Sequence, residues 1–203
     1  MRDIKILGVL EEGNGSRFHR VKVILDGLAD DFTVNYITFP FREVVLTEEH
    51  FKNYDVIVSS WIITNPVWEI NMWCSIHNCK WIQDQDDGIP QSNHPYYKEE
   101  KQREYCKRWI QQMAITCDAL TVATELIKSG FEELRRDVMV SHNFLPESGQ
   151  FSLENKNWDG NRKLICGIAS SYSHLPDFEE LRGVLKKIGN DVELQKKIKF
   201  VIF

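Results

Sequence analysis

Residues 4–28, IKILGVLEEGNGSRFHRVKVILDGL, begin with an apolar run, residues 4–10, broken only by Lys5. A run this short and continuous suits a strand buried on both faces. A glycine-bearing segment follows, and Val21, Ile24, Leu25 and Leu28 then recur at spacings of three and four, which predicts a helix entered from a glycine loop. Strand, glycine loop and helix in that order open a doubly wound α/β domain.

The same grammar repeats downstream. Residues 32–39 alternate as a second strand that Pro40 ends, and residues 55–60 (DVIVSS) read as a third, after a charged stretch, residues 43–52, expected to be helical. Pro66 opens a helix through Cys74, and residues 80–83 (KWIQ) make a fourth strand running into the polar turn DQDDG. Residues 96–117 mix charge with Trp109, Ile110, Met113 and Ile115, the pattern of a long helix with a solvated face. A fifth strand over 119–123, a helix over 125–134 and a sixth strand over 138–140 complete the series. The expected fold is α/β, a Rossmann-like doubly wound parallel sheet covered on both faces.

Residues 146–162 shift to Gly, Ser, Asn, Asp and Glu, the composition of a linker, and the pattern then restarts with a strand over 163–169, a helix over 177–188 and a strand over 198–203. One strand-helix-strand unit cannot bury both faces of its own sheet. The expected organisation is a Rossmann-like domain over 1–145, a linker over 146–162, and an incomplete second Rossmann-like domain over 163–203.

With 25 basic against 30 acidic residues and a net charge of -5, the chain has no block of Lys or Arg that would track a phosphate backbone, so nucleic acid is not an expected partner. The opening apolar run is too short for a signal-peptide core or a bilayer span, which predicts a cytoplasmic protein without a transmembrane segment and leaves peripheral membrane contact open. Five cysteines at irregular spacing are expected to be free thiols. Cys74, His77 and Cys79 lack the second pair that a structural zinc site needs.

Polar residues at predicted strand ends are the candidate site. Gly13, Asn14, Gly15 and Ser16, with Arg20 closing the motif, form a loop whose backbone N–H groups can approach an anion, or a plain turn into the helix. Asp84, Asp86 and Asp87 follow a buried strand, where open α/β sheets place ligand-binding groups, although a solvated acidic turn has the same composition. Four loop histidines, His19, His94, His142 and His174, have the chemistry of a general base near neutral pH, and His94 joins the three aspartates as a catalytic candidate. Asn143 with His142, and Ser170 and Ser171 with His174, follow later strands; the second group suits a diphosphate. Trp61, at the end of a strand, has a face for stacking on a sugar ring.

The order of these segments resembles the group 1 type of glycosyltransferases of the GT-B fold. GNGSRFHR, DVIVSSW, KWIQDQDDGIP, CDALTVATELIKSGF, VMVSHNFLP and KLICGIASSYSHLPDFEELRGVL carry the resemblance, which covers nearly the whole chain. It implies transfer of a sugar from a nucleotide-diphosphate sugar to a carbohydrate or other hydroxyl acceptor, in a cleft between two Rossmann-like domains, with no cofactor and usually no bound metal. On that resemblance Gly13, Gly15 and Arg17 line the acceptor side, while Asp84, Asp86 and Asp87 orient acceptor hydroxyls or accept their proton. Asn143, Ser170, Ser171 and His174 belong to the donor side. The family also carries a late Glu-x7-Glu pair; Glu125 and Glu133 have the spacing but precede the linker, read as an exposed helix face, and the equivalent pair is expected beyond residue 203. Two alternatives stay open: a non-catalytic carbohydrate- or nucleotide-binding module on the same fold, and a metal-dependent enzyme in which Asp84, Asp86 and Asp87 hold a divalent cation.

Overall fold

The structure, a computed structural model, describes residues 3–13, 17–40, 43–60, 64–89, 99–142, 164–168 and 175–202. The chain divides into two compact units, Met1–Phe151 and Ser152–Phe203.

In the first unit strand β1 (Lys5–Glu11) leads to a π-helical turn, Phe18–Lys22, that runs on into the short helix Val23–Asp26, together α1. Then come β2 (Thr33–Phe39), α2 (Glu48–Asn53), β3 (Val56–Ser60), α3 (Val67–His77), β4 (Lys80–Gln85), α4 (Glu100–Thr116), β5 (Ala119–Val122), α5 (Glu125–Phe131) and β6 (Val138–Val140). These six strands form one all-parallel sheet in the order β2-β1-β3-β4-β5-β6. The chain steps from β1 to β2 and then back across β1 to β3, so the winding reverses between β1 and β3. In open α/β sheets the crevice at the carboxyl ends beside that reversal is where ligands bind.

Both faces of β1 are covered, which explains its continuous apolar run. Leu7 and Val9 join the larger core with Ile57, Trp81, Leu120 and Val122 of the sheet and Phe51, Ile70 and Ile110 of the helices. Ile6 faces the other way, into a smaller core with Val21 and Leu25 of α1 and the partly buried Tyr36 and Val58. Helix α1 lies close against that face because Gly8 has no side chain: a Cβ there would stand 2.7 Å from Tyr36 Cδ1 and 2.9 Å from Leu25 Cδ1. Gly8→Ala is therefore expected to destabilise the first unit by about 1–3 kcal/mol, the usual cost of overpacking, as read by urea unfolding.

The sequence expectation and the structure part in three places. Within residues 43–52 only Glu48–Asn53 is helical. Val44 and Leu46, each 1% exposed, are buried at a spacing of two while Val45 between them is exposed, a period that no helix face has. Asn65 fixes that extended segment, accepting from the Leu46 N–H at 2.7 Å and donating to the Leu46 carbonyl at 3.0 Å. Second, β4 continues through Asp84 and Gln85, so the first two residues of the expected polar turn are strand residues.

The third difference is in the second unit, which holds β7 (Leu164–Ile168), α6 (Leu175–Asn190), an additional helix α7 (Val192–Lys197) and β8 (Ile198–Ile202). Asp191 starts α7 by accepting from the Glu193 and Leu194 N–H groups at 2.9 and 3.0 Å. Strands β7 and β8 pair in parallel, Leu164 beside Ile198 and Ile168 beside Ile202. Among the described residues no helix is long and apolar enough to cross a membrane.

Candidate functional site

The sheet register assembles a polar row across three adjacent strands. Ser60 of β3 pairs with Asp84 of β4, and Asp84 pairs with Thr121 of β5. Residues paired across parallel strands send their side chains to the same face, so these three rise side by side near the carboxyl edge. Helix α1 packs on that face through Val21 and Leu25 and delivers Arg20 to the row.

Arg20 makes a fork onto Asp84: Nε donates to Oδ2 at 2.5 Å and Nη2 donates to Oδ1. Its Nη1 donates to the Ser141 carbonyl at 2.7 Å, just past β6, and the Thr121 hydroxyl donates to Asp84 Oδ1 at 2.6 Å. Arg20 is 3% exposed and Asp84 2%. Burial pushes the Asp84 carboxyl above its ordinary value, while the Arg20 guanidinium and the Thr121 hydroxyl pull it back down. One guanidinium thus ties α1 to β4 and to the end of β6.

Beside this pair, Arg17 Nε lies 3.6 Å from Glu11 Oε2, with both side chains almost wholly buried. Burial lowers the Arg17 pKa, opposed by the charges of Glu11 and Asp86. Helix α1 starts as a π-helical turn, the Val23 N–H donating to the Phe18 carbonyl five residues back. Single π-helical turns of this kind recur at functional sites. Gly13, at φ 68°, takes the left-handed conformation in the segment between β1 and α1, with nothing within 4 Å of where a Cβ would be.

A second polar chain runs along the opposite face of β4. Trp81 Nε1 donates to Ser59 Oγ at 2.9 Å, Ser59 Oγ donates to Gln83 Oε1 at 2.7 Å, and Gln83 Nε2 donates to the Asp84 carbonyl at 3.0 Å. These bonds hold the end of β4 in place from the core side. Just beyond them the accounting fails to close. Among the described residues Ser60 Oγ and Asp86 Oδ1 are buried with no hydrogen-bond partner, and so are both amide atoms of Gln85, which lies on the Trp81 and Gln83 face of β4. Unmatched buried polar groups cost about 1–3 kcal/mol each, and four such atoms within one strand end and its neighbour are a reason to look for a ligand or for ordered water.

Of the residues singled out in the sequence, Asp84, Asp86, Arg17 and Gly13 stand at this carboxyl edge or in the segment leading from it. Asp84 is held in an ion pair within the strand, Asp86 is half-buried, and Asp87 is exposed. Gly15, Trp61, His94, Asn143, Ser170, Ser171 and His174 lie outside the described residues. Glu125 and Glu133 are both exposed. The sequence reading placed Arg20 at the end of the glycine motif and gave it no role; its position on the same helical face as Arg17 was the available signal. Ser60, Gln85 and Thr121 were given no role; the available signal was a polar residue at or near the carboxyl end of a predicted strand.

His77 is engaged with Glu48, Nε2 to Oε1 at 2.9 Å. Burial pushes the Cys74 and Cys79 thiols up to about 12, far from the thiolate that binds a metal. Among the described residues no group of three or more His, Cys, Asp or Glu side chains is placed to hold a metal ion, the three aspartates included. No family model matches this chain, and no curated protein matches it either.

Proposed function

We propose that this chain is a nucleotide-sugar glycosyltransferase whose first unit holds the acceptor at the carboxyl edge of the six-stranded sheet. The observation that supports it is the pair of buried oxygens there without a partner among the described residues, Ser60 Oγ and Asp86 Oδ1, on the carboxyl side of the sheet where the winding reverses. A sugar hydroxyl both donates and accepts, and it needs partners of both kinds. The family resemblance of the sequence points the same way. Asp86 is the aspartate that orients the acceptor hydroxyl or takes its proton, while Asp84 acts at one remove by holding Arg20. In the transfer, the acceptor oxygen bonds to the anomeric carbon, the bond from that carbon to the diphosphate oxygen breaks, the hydroxyl proton passes to the Asp86 carboxylate, and the nucleoside diphosphate leaves. Asn143, Ser170, Ser171 and His174 keep the donor-side role that the resemblance assigns them.

Calorimetry with a panel of nucleotide-diphosphate sugars tests this, followed by assay of nucleoside diphosphate release with hydroxyl acceptors. Saturable binding and acceptor-dependent release are the expected results, and silence toward every nucleotide-sugar overturns the reading. Binding without release across the acceptor panel would leave a carbohydrate- or nucleotide-binding module. A rise in Tm on adding manganese would return the metal-dependent alternative, since a ligand of the native state alone must stabilise it.

A further inference from the structure

We infer that residues 44–47 and the first turn of α2 form a pH-dependent strap over Thr64 and Asn65, fastened while the His50 ring is neutral and released when it takes up a proton. The segment lies between β2 and α2 and runs beside two residues that lead from β3 into α3. Thr64 donates to the Val44 carbonyl from its N–H at 3.0 Å and also from its hydroxyl. Asn65 accepts the Leu46 N–H and donates to the Leu46 carbonyl. Thr47 then turns the chain into α2, a helix of six residues. A helix so short has little cooperativity of its own and depends on its cap and its packing.

His50 completes that cap. Its Nδ1 accepts the Thr47 backbone N–H at 2.9 Å, and the Thr47 hydroxyl lies 3.1 Å from the same nitrogen. The two residues make a capping box, with an imidazole where a glutamate or glutamine usually stands. Only a ring with a bare Nδ1 can accept, so the proton of the neutral ring sits on Nε2. Once protonated, Nδ1 can donate to the Thr47 hydroxyl, but the Thr47 N–H then meets another N–H and loses its acceptor. The ring is half-buried, with Phe39 at the end of β2 edge-on at 6.4 Å. Burial lowers its pKa, against the pull of the Glu49 charge. The neighbouring charges have partners of their own: Glu49 accepts from the Asn53 amide at 2.8 Å and lies 3.8 Å from Lys52 Nζ, and Glu48 lies 2.9 Å from Nε2 of His77 on α3. His77 faces a carboxylate, so protonation keeps that contact while it breaks the one at His50.

An unfolded histidine titrates near about 6.5. Because the folded pKa of His50 is lower, the unfolded chain binds more protons as the pH falls through that value. The strap is therefore fully stable above about pH 6.5 and weakens as the pH falls toward the folded pKa. Amide hydrogen exchange on the full chain tests this, read as protection factors at about pH 7 and about pH 5, above the ordinary carboxylate range. Protection at the Leu46, Thr47 and Thr64 amides should fall about fivefold, the effect of losing one cap. His50→Gln keeps an acceptor at the cap and should hold protection level over the same range, whereas His77→Gln should leave the fall in place. Nitrogen NMR of the parent should find His50 Nδ1 bare at about pH 7. Unchanged protection in the parent, a fall confined to Thr47, or an equal fall in His50→Gln would each overturn the strap. So would a fall that disappears in His77→Gln, or a proton on Nδ1 of His50 in the neutral range.

Discussion

Arg20→Met is expected to destabilise the first unit by about 3–5 kcal/mol in urea unfolding, the cost of leaving one partner of a buried ion pair without its counter-charge. The stranded group is Asp84, 2% exposed, whose carboxylate would retain, among the side-chain donors of the described residues, the Thr121 hydroxyl. The pH dependence of this loss has a definite sign. Burial already raises the Asp84 pKa, and Arg20 is what opposes it, so removing Arg20 raises it further. A carboxyl whose folded pKa lies above its unfolded value of about 3.9 binds protons more tightly when native, and its contribution to stability falls as pH rises through the folded pKa. The difference between variant and parent should therefore be greatest near pH 7 and shrink as the pH is lowered toward about 4. An unchanged difference across that range would show that Asp84 is not the group left exposed to the low dielectric.

The companion double variant, Arg20→Met with Asp84→Leu, should recover the parent's stability or exceed it by about 1–4 kcal/mol, since two well-packed apolar side chains carry no desolvation cost. Recovery of stability together with loss of ligand binding would separate the two roles of the pair. It positions α1 over the carboxyl edge, and it does so at some expense in stability.

Trp81→Ala is the second large effect, expected at about 3–5 kcal/mol from lost burial and the cavity left behind. Trp81 is 1% exposed, meets the Trp109 ring edge-on at 6.3 Å, and begins the hydrogen-bond chain that ends on the Asp84 carbonyl. Trp81→Phe should cost less, about 1–3 kcal/mol, because most of the packing survives while the donor to Ser59 Oγ is lost. Trp81 and Arg20 hold β4 from opposite faces of the sheet. A double-mutant cycle between Trp81→Phe and Arg20→Met should therefore show a coupling of about 0.5–3 kcal/mol, and strict additivity would mean that the two faces of β4 act independently.

Much of the fold was legible because parallel strands covered on both faces are written as short apolar runs with period-breaking residues between them. Residues 138–140 were placed as the strand Val138–Val140, and residues 4–10 missed Lys5–Glu11 by one residue at each end. Where a segment is buried on one side only, the reading was less secure: the charge of residues 43–52 resembles a helix over its whole length, and only the burial of Val44 and Leu46 shows the period of two in its first half. The site was legible as a location and not as a set of contacts. Asp84-Gln85-Asp86-Asp87 looked like a turn because four polar residues in succession are the usual composition of one. The strand continues through Asp84 because Arg20 and Thr121, distant in sequence, give that carboxylate what water would otherwise supply.

By itself the sequence determined the alternation of strands and helices, the absence of a basic track for nucleic acid, and the gathering of polar residues at strand ends, because periodicity and composition are local properties of the chain. Only the tertiary structure decided which of those residues meet. Strand order and register set Ser60, Asp84 and Thr121 in one row, and the packing of α1 turned Arg20 toward that row and away from solvent. Whether a buried polar group is matched depends on partners far away along the chain, and that information exists only once the sheet is assembled.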